Sequence, residues 1–159
     1  MHFTNIAALT LAALTPLASA VGDAKIHNKC PDPVYVWSVG SSVSGVHKVE
    51  CGETYHEQFY RDPTSGGISL KILRTPGGLY DGSPQLNFAY TLDPGRVWYD
   101  LSSVFGSAFK GETLSVTSSN KECPGICWPH GTQPGGSQVK TCEPTADETL
   151  TLCADQCHA

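Results

Sequence analysis

Seven cysteines, all of them after an apolar leader, constrain this chain more than any other feature of its sequence. They are Cys30, Cys51, Cys123, Cys127, Cys142, Cys153 and Cys157. The leader has no Asp, Glu, Lys or Arg in its first twenty residues, is apolar from Ile6 to Leu14, and ends in Ala18-Ser19-Ala20, a pattern typical of signal-peptidase cleavage. We therefore predict a signal peptide at residues 1–20 and one domain at 21–159, with cysteines oxidised after export. A buried N-terminal helix is the alternative interpretation.

The segment 118–136 is rich in Pro, Gly, Cys and Ser and has few apolar residues to bury. We expect little regular structure there, so disulfides would have to hold it as a cross-linked loop. Its spacing Cys123-x3-Cys127-x2-His130 also resembles part of a zinc site, which needs thiolates and imidazoles close together. The second ligand pair of such sites is missing and export favours disulfides, so we predict bridges, with no metal and no other cofactor.

Short alternating runs separated by Gly, Pro, Asp and Ser predict β structure almost throughout the mature chain. The candidate strands are 24–29, 34–39, 45–50, 54–60, 68–72, 87–92, 96–101, 113–117, 138–142 and 149–153. The third and fourth could pair as a hairpin around Cys51, Asp93-Pro94-Gly95 predicts a tight turn, and 102–109 could hold one short helical turn. This pattern predicts an all-β fold, an antiparallel β-sandwich with little helix.

The charge of the chain argues against two classes of partner. Fifteen acidic residues and ten Lys or Arg give a net charge of −5, and no basic patch is present. We therefore expect neither a nucleic acid nor an anionic membrane surface as a partner, and we expect an extracellular location.

Four scattered carboxylates are the weak catalytic candidates: Glu57, Asp62, Asp81 and Asp100. A glycosidase needs two carboxylates facing each other across the sugar bond, roughly 5–9 Å apart. Asp62 and Asp81 lie beside Pro or Gly, which is the ordinary setting of a turn aspartate that accepts bonds from its own backbone. We assign no catalytic residue and favour a protein that is not an enzyme.

Aromatic residues could build a surface for stacking on sugars, although such residues on alternating strands more often form a core. The candidates are Trp37, Trp98, Trp128, Tyr55, Tyr60, Tyr80 and Tyr99. Trp98 stands out because Arg96 and Asp100 share its predicted strand face, which indicates a partly polar face.

The sequence also resembles a known family. Its opening Lys25-Ile26-His27-Asn28-Lys29-Cys30 and Val34-Tyr35-Val36-Trp37 look like the first hairpin of thaumatin-like proteins. More specifically, the chain resembles the Blastomyces yeast-phase-specific protein family, the fungal antigenic thaumatin-like secreted proteins. The strings that carry this resemblance are residues 33–40, 62–72, 79–85, 97–102 and 126–129. The resemblance implies a secreted fungal protein with a thaumatin-like β fold and no proven reaction.

The resemblance also implies a bridge between the first and a late cysteine, here Cys30 and Cys153, since terminal strands of a sandwich often lie side by side. Cys123, Cys127 and Cys142 should then supply at least one further bridge. Cys51 or Cys157 would remain as a free thiol, because seven is an odd number.

For function, we expect binding or interaction at the cell wall, for example with glucan, or at a host surface. One alternative is a weak β-1,3-glucan hydrolase, because larger thaumatin-like proteins sometimes act on this glucan. The other is a secreted effector or inhibitor that presents the loop from Cys123 to Cys142.

Overall fold

A computed structural model describes residues 20–157 and shows eleven strands in them. In chain order these are β1 (Asp23–Asn28), β2 (Val34–Val39), β3 (His47–Val49), β4 (Thr54–Gln58), β5 (Ile68–Leu73), β6 (Gln85–Asp93), β7 (Arg96–Val104), β8 (Leu114–Ser118), β9 (Ile126–Trp128), β10 (Lys140–Cys142) and β11 (Glu148–Leu152). The predicted signal peptide lies outside the described residues apart from Ala20, so it stays a prediction.

The strands form two sheets that pack face to face. One is five-stranded, in the order β4-β1-β11-β8-β9, and the other is six-stranded, in the order β10-β7-β6-β5-β2-β3. All pairs are antiparallel except β1 with β11, which run parallel with Ala24 opposite Glu148 and Asn28 opposite Leu152. The predicted all-β sandwich is therefore confirmed, and its first and last strands are neighbours.

The core lies between the sheets because apolar residues alternate along each strand and turn one face inward. In the five-stranded sheet, Ile26 and Leu150 are fully buried on adjacent strands, and in the six-stranded sheet Phe88 and Leu101 pair across β6 and β7. The hairpin between those two strands turns at Pro94-Gly95, where Gly95 has φ of 84°. A left-handed residue after proline is what a type II turn requires, so the predicted tight turn is present.

Three local expectations differ from the structure. The predicted hairpin around Cys51 is wrong, because β3 pairs with β2 in one sheet while β4 pairs with β1 in the other. Between β3 and β4 the chain crosses from the six-stranded to the five-stranded sheet. Val49, at the end of β3, is buried in the core opposite Val34 of β2. The segment 118–136 holds a short strand, β9, on the edge of β8. Residues 102–109 continue β7 and then make a hydrogen-bonded turn at Ser107–Lys110, with no helix.

Three disulfides connect six of the seven cysteines. Cys30 is bonded to Cys153, the pair that the resemblance implies, with their Cα atoms 5.0 Å apart. The others are Cys123–Cys142 and Cys127–Cys157, and Cys51 is free and exposed. Of the two candidate free thiols, Cys51 is the one that the structure leaves unbonded, and Cys157 is bonded to Cys127. Cys157 follows the last strand, and the chain after β11 brings it beside the β9 edge and Cys127.

No helix with the length and apolar character to cross a membrane is present between residues 20 and 157.

Candidate binding site

Glu57, the first of the four candidate carboxylates, braces the two sheets. It projects from β4, and its oxygens accept hydrogen bonds from the hydroxyls of Tyr55 at 2.8 Å, Tyr90 at 2.6 Å and Ser38 at 3.2 Å. Ser38 and Tyr90 belong to the opposite sheet. Burial and the neighbouring carboxylate raise the pKa of both tyrosines, so all three hydroxyls remain donors. This carboxylate is committed to structural bonds.

Asp62 and Asp81 are turn residues at opposite ends of β5. Asp62 is buried and accepts bonds from the backbone N–H groups of Ser41, Thr64 and Ser65 and from the Ser41 hydroxyl. These donors hold the pKa of its carboxyl well below the usual range. Asp81 accepts bonds from the amide and hydroxyl of Ser83, which lower its pKa as well. Asp62 lies in the loop before β5 and Asp81 in the loop after it, and each carboxylate is occupied by donors of its own turn.

Asp100 lies on the outer face of the six-stranded sheet, the face turned away from the core. Glu57 contacts Tyr90 on the inner face of the same sheet, so the two carboxylates lie on opposite sides of it. Glu57 and Asp100 therefore do not face a common cleft, and Asp62 and Asp81 are each engaged by the donors of their own turns.

A shallow groove runs along the outer face beside Asp100. Its lining includes Ala89, Thr91, Trp98, Asp100 and Val139, and its volume is about 140 Å³. Trp98 keeps 37% of its surface exposed in this groove. The guanidinium of Arg96 lies 5.5 Å from the centroid of the Trp98 ring, which is within cation–π distance. The predicted partly polar face around Trp98 is thus present.

Polar groups surround Trp98 at regular sheet spacing. Thr91 lies directly across from it on β6, and Thr141 lies directly across on β10. Asp100 is two residues farther along β7 and therefore points to the same side. Neighbouring strands are about 5 Å apart, so these side chains form a row of hydrogen-bonding groups beside one aromatic ring.

A band of amides and one amine continues the outer face towards β5. Lys71 Nζ lies 3.3 Å from Gln85 Oε1 and 3.5 Å from Asn87 Oδ1. Both amides are nearly buried, Trp37 covers the side of Lys71 across from β2, and desolvation lowers the pKa of the lysine. The sequence analysis missed this band because Lys71 lies on β5 whereas Gln85 and Asn87 lie on β6. Only the register between the two strands shows that these side chains share one face.

The other aromatic candidates do not form one surface with Trp98. Trp37, Trp128 and Tyr99 are buried, and Tyr55 is half-buried against Glu57 and His47. Tyr60 and Tyr80 are exposed, but both lie on loops that flank β5. A surface for stacking on sugars is therefore reduced to Trp98 on the outer face.

The described residues contain one cluster with metal-ligand atoms, formed by Cys123, Cys142 and Glu143. The two sulfurs are bonded to each other, so neither is a thiolate. Thiolates are the form in which cysteine binds zinc, and this cluster therefore does not fit a metal centre.

Glu148 is a titratable residue that the sequence analysis missed. It is 0% exposed at the start of β11, and neither carboxyl oxygen has a hydrogen-bond partner of ordinary geometry. Burial raises its pKa to about 7; the nearby Ser118 hydroxyl acts to lower this pKa, and the charges of Glu143 and Asp147 act to raise it. A signal was present, because Glu148, Leu150 and Leu152 alternate on one strand face.

Sequence relatives of this chain are fungal. The "Antigenic thaumatin-like protein" of Arthroderma benhamiae is 35% identical over 125 residues, which are 76% of this chain and 62% of that protein. The chain thus spans less than two thirds of that relative's length. The "Secreted thaumatin-like protein calA" of Emericella nidulans is 29% identical over 161 residues, with 92% of each chain covered.

Solved structures share the fold. The protein elicitor MoHrip2 from Magnaporthe oryzae superposes with a TM-score of 0.70 at 24% identity, over 84% of this chain and 99% of that one. The thaumatin-like xylanase inhibitor TLXI gives a TM-score of 0.54 at 12% identity, over 82% and 98%. The sandwich described above is therefore a thaumatin-like fold. The family model of the Blastomyces yeast-phase-specific protein matches residues 11–154, and the chain belongs to that family, which confirms the resemblance found in the sequence.

Proposed function

We propose that this protein is secreted and binds a neutral cell-wall glycan, with β-1,3-glucan as the first candidate, on the outer face around Trp98, without catalysing a reaction. One observation carries the proposal: an exposed indole lies in a groove beside hydrogen-bonding side chains. Three disulfides and one relative named as secreted fit an extracellular protein.

The chemistry of the groove suits an uncharged sugar chain. An indole ring can cover the apolar face of a pyranose, while Thr91 and Asp100 can bond its hydroxyls. The Thr141 hydroxyl donates to the Val97 carbonyl and can still accept a bond from the sugar. Arg96 and Asp100 carry opposite charges beside the ring, so the groove has no strong excess of either sign. Glu57 and Asp62 each accept several hydrogen bonds from within the fold, which favours binding over hydrolysis.

Replacing Trp98 by alanine should weaken binding to insoluble β-1,3-glucan by at least about tenfold, because the main apolar contact with the sugar is lost. The measurement is a pull-down over a range of glucan concentrations, with reducing sugar assayed in the supernatant. Tyr80→Ala is the matched control, since Tyr80 is 77% exposed and lies outside the groove, and its binding should equal that of the wild type.

Other outcomes of this assay would contradict the proposal. Equal losses in the two variants would show that the groove is not the site. Sugar release that disappears in Glu57→Gln or Asp100→Asn would establish a hydrolase. Absence of both binding and release would favour the effector or inhibitor function, in keeping with fold neighbours named as an elicitor and a xylanase inhibitor.

A further inference from the structure

A second pocket lies at the end of the sandwich that is away from the Pro94-Gly95 turn. Strand β5 runs antiparallel to β6, so its last residues lie beside the start of β6 and far from that turn. The lining residues are Pro31, Asp32, Pro33, Arg74 and Glu112. The volume of this pocket is about 480 Å³, and it shares no lining residue with the Trp98 groove.

Arg74 is held in this pocket by two contacts with the connection between β7 and β8. Its Nε donates a hydrogen bond to the carbonyl oxygen of Ala108 at 3.3 Å. Its guanidinium carbon lies 4.3 Å from the centroid of the Phe109 ring, a side chain that is buried in the core. The guanidinium therefore has a hydrogen bond on one edge and a cation–π contact on one face.

The other donors of Arg74 are unpaired. Its Nη1 and Nη2 atoms donate no hydrogen bond within residues 20–157, and it forms no ion pair there, in contrast to Lys25 and Arg61. A guanidinium carries five N–H donors in a planar fork, of which the bond to Ala108 uses one. Such a fork binds a carboxylate through two parallel hydrogen bonds, so Arg74 offers the pocket a site for this group.

Asp32 and Glu112 line the same pocket as unpaired acids. Within the part of the chain that the structure describes, neither side-chain carboxylate accepts a hydrogen bond or pairs with a cation. Both carboxylates are therefore available to a donor that a ligand brings.

The charges of this pocket define the ligand. A simple anion on Arg74 would meet two like charges, and a simple cation at the acids would leave the guanidinium unpaired. A zwitterion matches both signs, because its carboxylate pairs with the guanidinium while its ammonium pairs with Asp32 or Glu112. The rings of Pro31 and Pro33 add an apolar wall against which a small side chain can pack.

We propose that this pocket binds a small zwitterion, of the size of a free amino acid or a dipeptide, with its carboxylate on Arg74 and its ammonium at Asp32 or Glu112. The volume of about 480 Å³ is in the range of small-molecule sites. Trp98 lies near the other end of the sandwich, two residues from the Pro94-Gly95 turn pair, so this site goes beyond the proposed function and does not depend on glycan binding.

Proton–nitrogen NMR of the wild-type protein tests the site, with leucine and the dipeptide Gly-Leu as probes. Additions of up to about 10 mM should shift the backbone amide signals of Asp32, Arg74 and Glu112 along saturable curves. Acetylating the amino group of Gly-Leu, or amidating its carboxyl group, should weaken binding by at least about tenfold, because each change removes one of the two charges.

The double variant Asp32→Asn, Glu112→Gln tests the acidic side of the pocket. Its affinity for Gly-Leu should fall by at least about tenfold and equal its affinity for the acetylated dipeptide, because the ammonium loses its partners while Arg74 keeps the carboxylate. Glu50→Gln with Glu122→Gln is the matched control. Both of these acids are exposed and lie outside the pocket, so this variant should bind as the wild type does.

Three results would overturn the proposal: no saturable shift with either probe, equal binding of the capped and uncapped dipeptides, or unaltered binding in the variant that lacks both acids. A saturable response to leucine or Gly-Leu that requires both charges supports it, whether or not the protein binds glucan. If glucan binds at Trp98 while neither probe binds here, the proposed function stands and this site fails.

Discussion

Replacing both Cys30 and Cys153 by alanine is expected to lower the free energy of unfolding by about 5 kcal/mol. This bridge spans 123 residues of sequence, so its removal restores far more conformational freedom to the unfolded chain than removal of a short loop would. It also joins the end of β1 to the residue after β11, the pair on which the five-stranded sheet is centred. Urea denaturation followed by tryptophan fluorescence measures the loss.

Two further variants calibrate that measurement. Removal of Cys123–Cys142, which spans 19 residues, should cost about 3 kcal/mol by the same loop argument. Cys51→Ala changes an exposed free thiol and should stay within about 0.5 kcal/mol of the wild type. A smaller loss for the long bridge than for the short one would contradict the chain-entropy explanation.

Gly131→Ala should destabilise the fold by more than about 3 kcal/mol. A Cβ atom at this position would lie 1.8 Å from the carbonyl oxygen of Phe109 and 2.8 Å from that of Glu112, and φ is 61°, where side chains are strained. These contacts are with backbone, which cannot rotate away. The carbonyl of the preceding residue, His130, accepts a hydrogen bond from the Gly111 amide. Relieving the clash would require the chain after β9 to move away from the turn that follows β7, which would break this bond.

Gly135→Ala is the matched control for this prediction. It lies in the same connection between β9 and β10, and a Cβ there meets no atom within 4 Å. Thermal unfolding of the two variants should therefore differ widely, with the control within about 0.5 kcal/mol of the wild type. Equal stability of the two variants would show that the close backbone approach at Gly131 is not required.

Local alternation was sufficient to predict most of the sandwich. Strands such as β6 and β7 were recognisable because apolar residues occupy every second position and Pro94-Gly95 separates them. The face of Trp98 was recognisable for the same reason, since Arg96 and Asp100 are two residues away on either side.

Contacts between distant segments were beyond that reasoning. The disulfide between Cys127 and Cys157 depends on the path of the chain after the last strand, and no local sequence pattern predicts that path. Likewise, β3 and β4 look like the two halves of a hairpin, but their better partners are β2 and β1, which come earlier in the chain. The band formed by Lys71, Gln85 and Asn87 was not predicted for a related reason, because the strand register decides which polar residues share a face.

The position of β11 has a consequence for how the protein is made. This last strand lies in the centre of the five-stranded sheet, between β1 and β8. Synthesis proceeds from the N-terminus, so the β1–β4 pair is made long before the strand that joins it to β8. The five-stranded sheet therefore cannot be completed before β11 has been synthesised, and until then β1 and β8 lack the partner that lies between them.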